Sequence, residues 1–177
     1  MTNNHVVSYL FLPICHCRDV VLALEPAEKR SGGSVPVYGS NGITGYHDEP
    51  LISDPCIVVG RKGSVGALQL AEGPSWTTDV AYYVTAPAYF NLKFLFFLLG
   101  TLGLENLNRG VKPGLSRKMA YSISIDVPPI GEQIRIVSEI EDAENLIRQI
   151  SKSSQKLREY RNSRLEVTFD SLFENYK

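Results

Sequence analysis

Residues 127–157 read VPPIGEQIRIVSEIEDAENLIRQISKSSQKL. The prolines Pro128 and Pro129 close whatever precedes them, because proline cannot donate to a sheet ladder or sit inside a helix. From Glu132 to about Leu172 the chain then holds no Pro or Gly. Apolar or small residues recur at Ile136, Ile140, Ala143, Ile147, Ile150, Ser154 and Leu157. Their steps alternate between four and three, which is a heptad seam. The seam then drifts toward Tyr160, Leu165, Phe169 and Leu172. At ~1.5 Å per residue, such a helix is ~60 Å long. A domain of ~130 residues has a radius of gyration of only ~14 Å. The helix is therefore expected to project and find a partner, the alternative being a helix folded back over its own domain.

Before the prolines the texture is different. Ile57–Val59, Val65–Leu70, Ala81–Val84 and Ser122–Val127 predict short strands, and Leu92–Leu99 predicts a helix. The fold class expected is α+β: a globular, mixed, β-rich domain over 1–130, followed by one long C-terminal coiled-coil helix over 131–173. The apolar run Phe94–Leu104 has eleven residues. A membrane span needs about 20, so the run reads as a buried helix and no membrane is expected.

The chain has 177 residues, 44% of them hydrophobic, and a formal net charge of −1. That is enough apolar content for a real core. It is not the charge of a non-specific DNA coat protein, although a local basic face remains compatible with it. The 1–130 region carries ten basic and ten acidic residues, so weak binding of the isolated chain to DNA is expected. Three cysteines, Cys15, Cys17 and Cys56, without regular spacing or a secretory leader, point to a reducing cytoplasm. Cys15-His16-Cys17 suggests metal chemistry, but adjacent ligands rarely fit one tetrahedral ion and no second pair completes a set.

Enzyme signatures are absent or broken. No G-x-G-x-x-G follows a strand, and Gly60-Arg61-Lys62-Gly63-Ser64 has the residue types of a phosphate loop in the wrong order. Asp54 precedes a strand but lacks the second carboxylate that would clamp a hard metal ion. His5, His16 and His47 are scattered. No catalytic residue, metal or cofactor is expected.

What remains suits binding. Arg61 and Lys62 sit between glycines and are expected to reach outward. Residues 109–118, RGVKPGLSRK, hold Arg109, Lys112, Arg117 and Lys118 beside Ser116, with no acid, and read as a basic loop able to contact phosphates. The stretch 35–49, VPVYGSNGITGYHDE, places Gly39, Gly42 and Gly45 three residues apart, with Tyr38, Ser40 and Asn41 among them. Such glycines mark either tight turns or a place where another backbone comes close. Asn and Ser can bond base edges.

In combination these segments resemble the specificity (S) subunits of type I restriction-modification systems, in particular one half of such a subunit. The family's Pro-x-Tyr-Gly-x-x-Gly-x-x-Gly stretch is matched by Pro36, Tyr38, Gly39, Gly42 and Gly45. Its Gly-Arg-x-Gly-x-x-Gly is matched by Gly60, Arg61, Gly63 and Gly66, and its Thr-Asp pair by Thr78 and Asp79. A later loop is matched by Gly110, Pro113 and Leu115, and Pro-Pro-x-x-Glu-Gln by Pro128, Pro129, Glu132 and Gln133. The resemblance covers about 34–173. Residues 1–33 are atypical.

The resemblance implies a non-catalytic reader of double-stranded DNA, with one target-recognition domain and one conserved-region helix. It implies a methyltransferase subunit as partner and a restriction motor-nuclease indirectly. A half-subunit would dimerise through its helix and read an interrupted palindrome. The alternative is a truncated or cassette-derived fragment acting as an interaction module or decoy. An enzyme site assembled only in three dimensions and a general coiled-coil scaffold are the other rivals.

Overall fold

The computed structural model describes residues 7–10, 32–107 and 114–174. Cys15, His16, Cys17, Arg109 and Lys112 lie outside the described residues. The chain divides into two compact units, 1–134 and 135–177.

Among the described residues, the first unit contains three small sheets. Strand β1 (Val7–Leu10) pairs antiparallel with β8 (Ser124–Val127). Strand β2 (Val35–Gly39) lies between β3 (Gly42–His47), antiparallel, and β6 (Trp76–Thr77), parallel. Strand β4 (Cys56–Gly60) lies between β5 (Leu68–Ala71) and β7 (Ala81–Val84), both antiparallel. Every residue of β4 is buried, which explains its unbroken Cys-Ile-Val-Val run. A strand covered on both faces has no polar side to alternate. Buried residues include Ile57, Val58, Val37 and Val84 of the sheets and Leu95 and Leu99 of helix α1 (Leu92–Thr101), which packs on β4 and β5. Asn91 caps α1 by accepting from Phe94 N at 3.0 Å, and Gly103, at φ +61°, follows its C-terminus.

Two expected strands are shorter in the structure. Val65–Leu70 begins only at Leu68. Gly63 and Gly66 take φ of +75° and +78°, and Gly66 N donates to Gly60 O at 2.9 Å, so 60–66 closes into a loop. Ser122–Val127 begins at Ser124, because Ser122 terminates a helix the sequence did not announce, α2 (Arg117–Tyr121). Ser116 is its N-cap, so the basic loop read at 109–118 becomes helical from Arg117 onward.

The second unit is helix. Helix α3 runs from Ile130 to Glu174, 45 residues, starting immediately after Pro129, whose carbonyl accepts from Glu132 N at 2.9 Å and Gln133 N at 3.1 Å. Among the described residues, no helix is long and apolar enough to cross a membrane. Along α3, Ile147, Ile150 and Leu157 of the seam are exposed, as are Leu165, Phe169 and Leu172 beyond it. Glu139 and Arg135 pair within the helix, as do Glu144 and Arg148.

Candidate nucleic-acid interface

The loop 60–66 is the hub on which the motif residues converge. The β2–β3 hairpin turns through Ser40 and Asn41, with Gly39 opposite Gly42, and its tip rests on this hub. A Cβ on Gly60 would lie 2.6 Å from Ser40 O and 2.0 Å from Ser64 O. A Cβ on Gly66 would lie 2.6 Å from Glu105 N, in the 3-10 turn Leu104–Leu107. Both approaches are closer than any side chain tolerates. What comes close to these glycines is therefore the chain's own backbone. A third segment joins at Leu115, whose N–H donates to Arg61 O at 2.8 Å.

Thr78 and Asp79 tie the arrangement together. Thr78 N donates to Tyr38 O at 3.0 Å, and Arg61 N donates to Val80 O at 2.8 Å. Lys62 Nζ meets Asp79 Oδ2 at 3.0 Å, with the two side chains 48% and 42% exposed. A pair so exposed is worth at most ~1 kcal/mol and can exchange partners. Arg61 is held differently. Its guanidinium lies 5.3 Å above the Tyr82 ring and donates to Asp79 O at 3.3 Å. Of the two cations expected to reach outward, Lys62 is exposed, whereas Arg61 is folded against the protein.

The other site residues separate as follows. Asn41 is exposed at the hairpin tip and Ser40 is half-buried beneath it. The Tyr38 ring packs against the cluster of Ile52, Cys56, Val58, Ala71 and Ala81. Burial, reinforced by Cys56, Glu72 and Tyr46, raises its phenol above the ordinary value. Ser116 Oγ accepts from Met119 N at 3.4 Å as the α2 cap, and Arg117 and Lys118 open that helix. In the sequence Asp79 is legible only as part of a motif, and its pairing with Lys62 appears in the fold. Its signal was the Thr-Asp pair, whose role needs the fold. Among the described residues, no group of three or more His, Cys, Asp or Glu side chains could hold a metal.

A second motif closes the unit. Gln133 is 0% exposed. Its Oε1 accepts from Asn91 N at 2.8 Å, and its Nε2 donates to Tyr89 O at 3.0 Å and Pro128 O at 2.9 Å. One amide thus fastens the first turn of α3 to the N-terminus of α1 and the end of β8.

The sequence model for the type I restriction modification DNA specificity domain matches residues 20–159. The chain belongs to this family. The fold agrees. The S subunit of a type I restriction-modification system from M. genitalium superposes with a TM-score of 0.65 at 19% identity, over 91% of this chain and 44% of that one. The HsdS subunit from Thermoanaerobacter tengcongensis gives 0.63 at 14% identity, over 86% and 41%. A chain from a type I R-M assembly gives 0.67 at 14% identity, over 86% and 41%. This specificity-domain chain therefore spans less than half the length of the solved chains it matches. No curated protein sequence matches it.

Proposed function

We propose that the chain is the sequence-reading, non-catalytic specificity component of a type I restriction-modification system, acting in the cytoplasm. Two copies pair through α3 and present two identical readers in inverted orientation. The site read is then an interrupted palindrome. The helix pair also docks the methyltransferase subunit, and through it the restriction subunit. No cofactor is needed for reading DNA.

The observation that carries this reading is the convergence of the hairpin tip, the loop 60–66 and the Leu115 segment on one hub, in a chain of the specificity-domain family. Lys62, Ser40 and Asn41 belong to that hub. Arg109, Lys112, Ser116, Arg117 and Lys118 flank its third segment in sequence and supply further phosphate contacts. Rigid loops around a shared seat can vary in sequence at their tips without moving one another, which suits a fold that must read different sites.

The test is adenine-methylation mapping in cells that express this chain with its cognate methyltransferase subunit. Methylation at an interrupted palindrome is expected. A stable complex with the methyltransferase but no methylation would instead favour the fragment or decoy reading.

A further inference from the structure

We propose that Arg61 serves DNA reading without touching DNA: when Lys62 leaves Asp79 for a phosphate, the Asp79 carboxylate turns onto the Arg61 guanidinium. Arg61 is then a positioning residue, and Asp79 a two-position brake on Lys62. This rests on the DNA-reading function proposed above.

In the free chain Asp79 belongs to Lys62. Nζ and Oδ2 stand 3.0 Å apart, and both side chains are exposed. The pair therefore occupies a cation that the hub turns outward. A phosphate can take Lys62, since an exposed pair holds its partners weakly. The exchange leaves a bare carboxylate beside a polyanion. Like charges so close oppose binding unless a second cation takes the carboxylate.

Arg61 is placed to be that cation. Its Nη1 donates to the backbone O of Asp79 at 3.3 Å, so the guanidinium already rests on the residue whose carboxylate it would take. It lies 5.3 Å above the centre of the Tyr82 ring, an attraction that keeps it from following Lys62 outward. Among the described residues it has no carboxylate partner. Its planar fork suits a carboxylate better than an ammonium does. The backbone leaves Asp79 only its side chain to move. Thr78 N donates to Tyr38 O at 3.0 Å, and Ala81 N donates to Thr78 O at 3.1 Å. Val80 O accepts from Arg61 N at 2.8 Å and from Lys62 N at 3.2 Å. The backbones of Arg61, Lys62 and Asp79 thus stay fixed to one another while χ1 of Asp79 turns from one staggered position to another. The opposite assignment, Arg61 on the phosphate, would require the guanidinium to leave both Tyr82 and Asp79 O.

The test is a double-mutant cycle on the complex of the full chain with its methyltransferase subunit. Arg61→Gln, Asp79→Asn and the double variant are titrated with a duplex carrying the site found by methylation mapping. In the parent background Arg61→Gln should weaken binding about fivefold, the scale of one exposed ion pair, and Arg61→Lys, which keeps the charge, should recover most of the loss. In the Asp79→Asn background no carboxylate needs a cation, and Arg61→Gln should change affinity less than about twofold. An equal loss in both backgrounds would overturn the proposal, because a guanidinium that contacts phosphate, or that merely holds the hub together, acts without Asp79. No loss in the parent background would overturn it as well. Absence of any methylated site or bound duplex would instead remove the DNA-reading function on which the proposal rests.

Discussion

Replacing Gln133 by methionine tests whether one buried amide fastens the start of α3 to the recognition unit. Methionine keeps the length of the side chain and favours helix, so the change isolates the polar head. The head makes three hydrogen bonds, at 2.8, 3.0 and 2.9 Å. A protein hydrogen bond contributes a net ~0.5–1.5 kcal/mol, so three together predict a loss of about 1.5–4.5 kcal/mol. The cost falls toward the upper end if Asn91 N and the carbonyls of Tyr89 and Pro128 remain out of reach of water. Urea unfolding followed through Trp76, the single tryptophan, which stacks on His47 at 4.4 Å, reads the change in ΔG directly. A loss below about 0.5 kcal/mol would refute the reasoning, since even one of the three bonds predicts more. Gln133→Glu separates geometry from chemistry. Its carboxylate still accepts from Asn91 N but cannot donate to the two carbonyls. It should be less stable than Gln133→Met at neutral pH. Burial raises such a carboxyl's pKa, so the folded variant binds a proton more readily than the unfolded one, and its deficit against the parent should narrow as pH falls.

The hub and the core set further expected outcomes. Gly60→Ala forces a Cβ to within 2.0 Å of Ser64 O and should cost more than about 3 kcal/mol. Gly73→Ala, with nothing within 4 Å of the new carbon, should be close to neutral by the same urea assay. In DNA-binding titrations across salt, with the methyltransferase subunit present, Lys62→Ala should lower affinity and flatten the salt slope by about one unit. Asp79→Asn should raise affinity by releasing Lys62. At alkaline pH, burial holds the Cys56 thiol above its ordinary value, only partly offset by Ser75. The folded thiol keeps its proton longer than the unfolded one, so its contribution is full below pH ~8.5 and is lost as pH climbs toward the raised value. Stability against pH should therefore fall more steeply for the parent than for Cys56→Ala.

Local patterns were enough for the parts of the molecule where local physics decides. Ile57-Val58-Val59 reads as a short strand and lies in the buried strand β4, and Ala81–Val84 is found residue for residue. The long run free of Pro and Gly from Glu132 reads as a helix and is one. The resemblance also carried the family, through motifs whose order and spacing are legible in one dimension. Other features lie across long sequence separations, and no periodicity encodes them. Tyr38 and Thr78 stand forty residues apart, and Arg61 and Asp79 eighteen. The glycines at 60 and 66 were visible as permissive residues, but their use depends on Ser40, Ser64 and Glu105 arriving beside them. Arg61 reads as an outward cation until Tyr82 is found beneath it. Gln133 reads as a polar residue opening a helix until three backbone partners from elsewhere enclose it. Propensity and periodicity act between neighbours along the chain, so sequence alone was enough for β4, β7 and the long helix. Burial and hydrogen-bond satisfaction act between segments the fold brings together, and only the tertiary structure decides which charges stay exposed and which glycines must remain glycine.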